Sequence, residues 1–178
     1  ELGPVQIGKR DSSEAAKDSL REINKELAML SIQFGDNALA ESNTFQLVID
    51  NKADLAGLPE AVVAAAADEA AARNLSGKWV FTLDAPSRIP FLQYADNRAL
   101  REKVYKAYIS KGDNDNEYDN KKIVSQIVNL RLKKANLLGF KSYADFALDD
   151  RMAKTDEHVK HLPKRVTDAD LPRAKHEV

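Results

Sequence analysis

The sequence predicts a mainly α-helical fold with two short β-strands, and three features predict it. Apolar residues recur at alternating spacings of four and three from Ala16 through Leu20, Ile23, Leu27 and Leu30 to Phe34, the stripe of a long amphipathic helix. From Pro86 onward one helical pattern follows another, marked off by capping residues and glycines. Two windows, 44–50 and 78–84, alternate with the period of a strand.

The first helix is placed at about residues 12–42. Asp11 and Glu14 have the spacing of a capping box, in which each side chain satisfies a backbone N–H at the helix start. The stripe runs for fewer than about four heptads, so packing on a neighbouring helix is expected rather than a coiled-coil dimer. The first strand would bury Phe45, Leu47 and Ile49, and the second Trp79, Phe81 and Leu83. Between them Gly57-Leu58-Pro59 breaks the chain and residues 60–74 form an alanine-rich helix. Strand, helix, strand suggests a parallel pair joined by a right-handed crossover.

Pro86 and Pro90 then punctuate a short turn of helix carrying Phe91, Leu92 and Tyr94. Asn97 caps a helix containing Leu100, Val104 and Tyr105, which stops near Gly112. Residues 111–117 form a turn-rich linker without apolar content. A helix over residues 119–138 carries Ile123, Ile127, Leu130, Ala135 and Leu138, and Gly139 supplies its left-handed cap. Ser142 starts a shorter helix through Ala147, and Thr155 starts another. Pro163 should end or kink that last one, because an interior proline costs about 3 kcal/mol. The tail through Val178 reads as frayed or independently packed. The chain divides into a helix-and-strand segment, residues 1–96, and a helical segment, residues 97–178.

Composition removes several function classes. Lys and Arg number 27 against 28 Asp and Glu, so there is no bulk attraction to nucleic acid or an anionic membrane, and neither is expected as a partner. There is no cysteine, which excludes disulfides, thiolate zinc sites, iron–sulfur clusters and thiol nucleophiles. No apolar run is long enough to span a bilayer, and the first residues do not form a signal peptide. Neither G-x-G-x-x-G nor a Walker sequence occurs, which argues against nucleotide binding. The linker Asp113-Asn114-Asp115-Asn116-Glu117 has acidic and amide positions but lacks the central glycine and terminal glutamate of a calcium loop.

Metal and acid–base candidates fail on spacing. His158 and His161 lie at i and i+3, whereas zinc peptidases of the H-E-x-x-H type need i, i+4 with glutamate after the first histidine. Val159 holds that glutamate position, and the third histidine, His176, is remote. These are expected to be solvated surface residues. Asp149 and Asp150 are adjacent, so on a helix they point about 100° apart and do not converge; an Arg151 salt bridge is the expected arrangement. Asp168 and Asp170 are the other acidic pair, and no G-x-S-x-G elbow is present. No catalytic, cofactor-binding or metal-ligating residue is therefore assigned to this chain.

A resemblance adds what spacing does not. Leu30-Ser31-Ile32-Gln33-Phe34-Gly35-Asp36-Asn37-Ala38-Leu39, Leu55-Ala56-Gly57-Leu58-Pro59 and Gly77-Lys78-Trp79-Val80-Phe81-Thr82-Leu83 occur in that order. They are followed by Pro90-Phe91-Leu92-Gln93-Tyr94-Ala95, Asn97-Arg98-Ala99-Leu100-Arg101-Glu102-Lys103, Lys134-Ala135-Asn136-Leu137-Leu138-Gly139-Phe140, Tyr143-Ala144-Asp145-Phe146 and Met152-Ala153-Lys154-Thr155. As an ordered set, from about Ser12 to about His158, they resemble the M3 family of zinc metallopeptidases, most of all its peptidyl-dipeptidase type. The match weakens after Asp156, where the family has proline following the Thr155 position.

The resemblance implies a partial neurolysin-like fold, mainly helical, in which residues 97–178 are the first helices of a catalytic region. It implies an enzyme that hydrolyses short peptides, releasing dipeptides from their carboxyl ends, with oligopeptides as substrates and Zn2+ as cofactor. The H-E-x-x-H motif and the distal glutamate ligand of that family have no counterpart here, so the chain is expected to be an internal fragment, inactive alone. A non-catalytic helical interaction module is the alternative. Some self-association of the isolated chain is expected under either reading. The compartment is read as cytoplasmic, with the periplasm as the alternative.

Overall fold

The computed structural model describes residues 13–177. Its elements run α1 (Glu14–Thr44), β1 (Leu47–Ile49), a 3-10 turn (Lys52–Leu55), α2 (Glu60–Ala72), β2 (Trp79–Phe81), α3 (Ala85–Tyr94), α4 (Arg98–Ile109), α5 (Lys121–Leu137), α6 (Tyr143–Leu148) and α7 (Asp156–Glu177). The mainly helical class with two short strands holds. None of the helices is long and apolar enough to cross a membrane, among the described residues.

The chain forms two compact units. The first comprises the chain up to Leu30 and from Ser125 on; the second is Ser31–Val124. In the first unit α1 begins at Glu14, with the Ser13 hydroxyl accepting from the Ala16 N–H at 3.2 Å. The expected Asp11 cap lies outside the described residues. Ala16, Leu20, Ile23 and Leu27 are half-buried and Leu30 is buried, as the stripe requires. On α5, Leu130 and Ala135 are buried and Lys134 donates to the Asn24 side chain at 2.7 Å.

Past α5, Gly139 takes φ +88° and lets the Phe140 N–H return to the Ala135 carbonyl at 2.9 Å, the left-handed stop the sequence called for. Ser142 and Asp145 form a full capping box at the start of α6. The Phe146 ring meets Phe140 edge-on at 5.5 Å.

Pro163 does not end the last helix. The helix that opens after Thr155 continues through Pro163 and Pro172 for 22 residues. α7 buries no side chain. The carbonyls deprived of their donors, those of Val159 and Asp168, can therefore be hydrated, which removes part of the penalty an interior proline carries in a packed helix.

The second unit is built on an apolar cluster: Leu47, Ile49, Leu55, Ala66, Phe81, Leu83, Phe91, Ala95 and Val104. Phe81 and Phe91 stack at a tilt with ring centroids 4.6 Å apart. The strands are antiparallel, with Leu47 opposite Phe81 and Ile49 opposite Trp79, which corrects the parallel expectation. The reason lies ahead of α2. The chain turns once in the 3-10 segment, capped by the Asn51 side chain, and again at Gly57, so an extra reversal precedes the helix. Gly57 has φ +84°, and a Cβ there would lie 2.2 Å from the Tyr94 carbonyl oxygen; only glycine fits.

β2 is buried on both sides. Val80 is as inaccessible as Phe81, and Thr82 and Leu83 follow them. The Pro86–Pro90 segment is a ten-residue helix rather than one turn. Asn97 caps α4 as expected, its oxygen accepting from the Leu100 N–H at 3.2 Å while its amide donates to Asp54 at 2.8 Å.

Candidate functional site

The chemistry-bearing residues read from the sequence do not come together. His158, His161 and His176 are exposed on α7, and the His158 Nδ1 lies 2.9 Å from the Ala153 carbonyl oxygen. Arg151 lies 3.5 Å from Asp150, both largely exposed, while Lys154 donates to the Asp149 carbonyl at 2.8 Å. Asp168 is paired with Lys164 at 2.7 Å. Among the described residues no three His, Asp or Glu side chains gather in a way that could hold a metal ion. These residues do not fit a catalytic zinc.

The acidic linker has its own cation. The Lys121 ammonium sits 3.0 Å from Asp113, 2.7 Å from Asp115 and 3.0 Å from Asp119. Its protonated form is strongly favoured by bonds to Asp115 first, then Asp113 and Asp119. The centre on which a metal-binding loop would converge is thus filled by a side chain of the same polypeptide.

The polar centre of the second unit was not identified from the sequence. Continued past Phe34, the α1 stripe reaches Asn37 and Glu41 at the same three-and-four spacing. Phe34 itself is 41% exposed, whereas Glu41 is only 8% exposed. The Glu41 carboxylate accepts from the backbone N–H of Gly112, from Asn114 at 2.7 Å and from Asn116 at 2.6 Å. Beside it Asn120, also buried, donates to the Phe34 carbonyl at 3.1 Å and accepts from Asn37 at 3.0 Å. Burial opposes charge on Glu41, but the donors from Gly112, Asn114 and Asn116 outweigh it and hold the carboxyl below its ordinary range; Asp119 works weakly the other way. The signal was a run of polar residues at stripe positions.

Two concavities lie on the surface of this unit. A cavity of about 250 Å³ lies between α2 and the turn into α3, lined by Val62, Ala65, Ala66, Val80 and Pro86 with Glu69, Thr82, Asp84 and Ser87. Its polar groups are engaged locally: Thr82 donates to Asp84 at 3.1 Å, the Ser87 hydroxyl accepts from the Thr82 N–H, and Glu69 pairs with Arg73. A shallower groove of about 380 Å³ runs past Leu92, Arg98, Arg101, Glu102 and Tyr105. Arg101 is held there by the carbonyls of Ala95 and Asp96. Nearby, the Arg88 guanidinium stacks 3.6 Å over the Tyr108 ring.

Comparison with known proteins accounts for a scaffold of this kind. The model of Peptidase family M3 matches residues 91–178. Oligopeptidase A of Haemophilus influenzae is 38% identical over 161 residues, 86% of this chain and 24% of that protein. The chloroplastic and mitochondrial organellar oligopeptidase A of Arabidopsis thaliana is 38% identical over 156 residues, 83% of this chain and 19% of its own length. The dipeptidyl carboxypeptidase of Escherichia coli is 33% identical over 166 residues, 93% of this chain and 24% of the enzyme. The chain spans about a fifth to a quarter of the length of these relatives. With the ordered motifs, the mainly helical fold and these matches in hand, the chain belongs to peptidase family M3.

Proposed function

We propose that this chain is a structural part of a zinc-dependent oligopeptidase, one that cleaves short peptides and releases dipeptides from their carboxyl ends, and that it is inactive alone. The observation that carries the reading is the match, across most of the chain, to proteins named oligopeptidase A and dipeptidyl carboxypeptidase. Residues 1–96 then form the segment ahead of the catalytic region and residues 97–178 supply its first helices, a boundary supported by the family match beginning at residue 91. Zinc is the proposed cofactor of the whole enzyme. The histidines and carboxylates present do not fit it, so no bond-breaking step is assigned to them.

What this chain contributes is shape. α2, α3 and α4 close around Phe81 and Phe91, and Glu41 fixes the connection from α4 to α5. Oligopeptides are the proposed substrates, nucleic acid and membrane are not proposed as partners, and the cytoplasm is the proposed compartment, with the periplasm as the alternative. An assay of the 178-residue chain with a blocked oligopeptide and added zinc should show no turnover. Hydrolysis above the rate with zinc alone would overturn the proposal that the cleaving groups lie elsewhere.

A second reading, a helical interaction module, is favoured by one feature: Val159, Leu162, Val166 and Leu171 are exposed on α7. Light scattering on the purified chain and on Leu162→Asp separates the two. A defined oligomer lost on substitution supports the module, and a polydisperse species supports an isolated part of a larger enzyme.

A further inference from the structure

Glu41 is a buried acidic group that takes part in no bond-breaking step, and its surroundings suggest a role of its own. From residue 111 to residue 120 only Gly112 and Asn120 are buried, and residues 113–117 are exposed. The segment therefore has no buried apolar side chain with which to hold itself down. Its attachments are polar. The Asn120 N–H closes the base on the Gly112 carbonyl at 2.7 Å, and Asn120 is bonded to Phe34 and Asn37. Glu41 collects Gly112, Asn114 and Asn116, every second residue, onto one carboxylate. Lys121 gathers the outward carboxylates of the same stretch, but on the solvent side, where screening weakens ion pairs.

We propose that residues 111–120 form a strap that can be released separately from the rest of the unit, with the Glu41 carboxylate as its latch: removing that charge frees the strap while the apolar cluster around Phe91 stays folded. Releasing the segment exposes polar groups that water can satisfy, and none of its residues belongs to that cluster or packs on it, so it costs far less than unfolding the unit. Losing the charge, in contrast, replaces three charge-assisted bonds with weaker ones and leaves amide donors under-partnered. The strap groups that act on the latch electrostatically are Asp119, which repels its charge, and Tyr118, whose hydroxyl is pushed up by Glu117 first and also by Glu41. No histidine precedes His158, so this unit carries no imidazole beside the latch. The latch is closed at neutral pH and opens only in acid.

The proposal does not depend on the peptidase reading. Hydrogen exchange on the 178-residue chain, wild type against Glu41→Gln, tests it. The amides of Gly112 and Asn120 should exchange about tenfold faster or more in the variant. Those of Ala66 in α2 and Val104 in α4 should change by less than about threefold. Asn116→Ala, which removes one donor and keeps the charge, should give the same pattern at smaller amplitude. Unchanged protection at Gly112 and Asn120 in Glu41→Gln would overturn the latch. Equal loss at Ala66 and Val104 would overturn the separate strap.

Discussion

The apolar cluster of the second unit and helix α7 both draw on regularly spaced apolar residues and are opposite in energetics. Phe81, Phe91 and Val104 are almost wholly inaccessible, and each is held by neighbours from several elements. α7 is 22 residues long and buries nothing. What stabilises it is local: a favourable charge arrangement, with Asp156 and Glu157 in the first turn and Lys175 and His176 in the last, and i, i+4 pairs such as Lys160 with Asp156 at 2.7 Å. Such pairs are worth a few tenths of a kcal/mol each, and an unpacked helix of this length is marginal in water. Periodicity therefore identifies the helix, while burial decides whether the helix matters to the stability of anything else.

The largest effect that sharpens the contrast is Phe91→Ala. It removes a ring packed 4.6 Å from Phe81 and leaves a cavity where α3, α4 and β2 meet. A loss of about 3–5 kcal/mol is expected, read as a lower urea midpoint for the second unit. A loss below about 1 kcal/mol would mean that the cluster is not the unit's core.

Next comes Glu41, where the buried element is polar. Its folded-state carboxyl lies below the ordinary range, so the unfolded chain binds the proton more readily. Its stabilisation is fully present above the unfolded value, near 4.3, and is lost as pH falls through the folded one. Exchange at the Gly112 and Asn120 amides, taken relative to their intrinsic rates, should thus accelerate between neutral pH and about pH 3 by more in wild type than in Glu41→Gln. At neutral pH the substitution should cost about 1.5–3 kcal/mol of local stability. Parallel pH curves for the two proteins would contradict the assignment.

These two sites also mark what could be read from the sequence. The stripe from Ala16 to Leu30 and the pairs Phe81, Leu83 and Leu47, Ile49 follow from local periodicity; the structure half-buries the stripe as far as Leu27 and buries Leu30 and both pairs. Phe34 belongs to the same pattern and is half-exposed, because the stripe from there on faces a polar segment instead of an apolar one. That segment is Gly112–Asn120, more than 70 residues away in the chain, and no local pattern announces a partner at that distance. Asn37 and Glu41 in stripe positions were the available hint. Strand direction failed for a related reason: it depended on a 3-10 turn of four residues, Lys52–Leu55, too short to register as an element. Lys121 escaped notice because the acidic linker was compared with metal loops, and the cation proved to be two residues beyond Asp119.

A smaller effect is expected at Gly35, inside α1 where the stripe passes from apolar to polar. A Cβ there meets nothing within 4 Å, so the glycine is not required by packing. Gly35→Ala should stabilise the helix by about 0.5–1 kcal/mol by restricting the unfolded chain, seen as a small rise in melting temperature. A decrease would show that the position is packed against something.

The smallest effect belongs to α7 and tests the other side of the comparison. Leu162 is 63% exposed, so Leu162→Ala removes little buried area and should change stability by no more than about 0.5 kcal/mol. Pro163→Ala at the next position gives the matching control. It restores one backbone donor and relieves a ring clash worth up to about 3 kcal/mol within the helix, so helical content should rise by circular dichroism. The urea midpoint of the second unit should not move in either variant, because α7 buries no side chain. If Leu162→Ala instead costs as much as a core truncation, α7 is packed in solution against a surface that covers its exposed apolar residues, and the two regions are energetically alike after all.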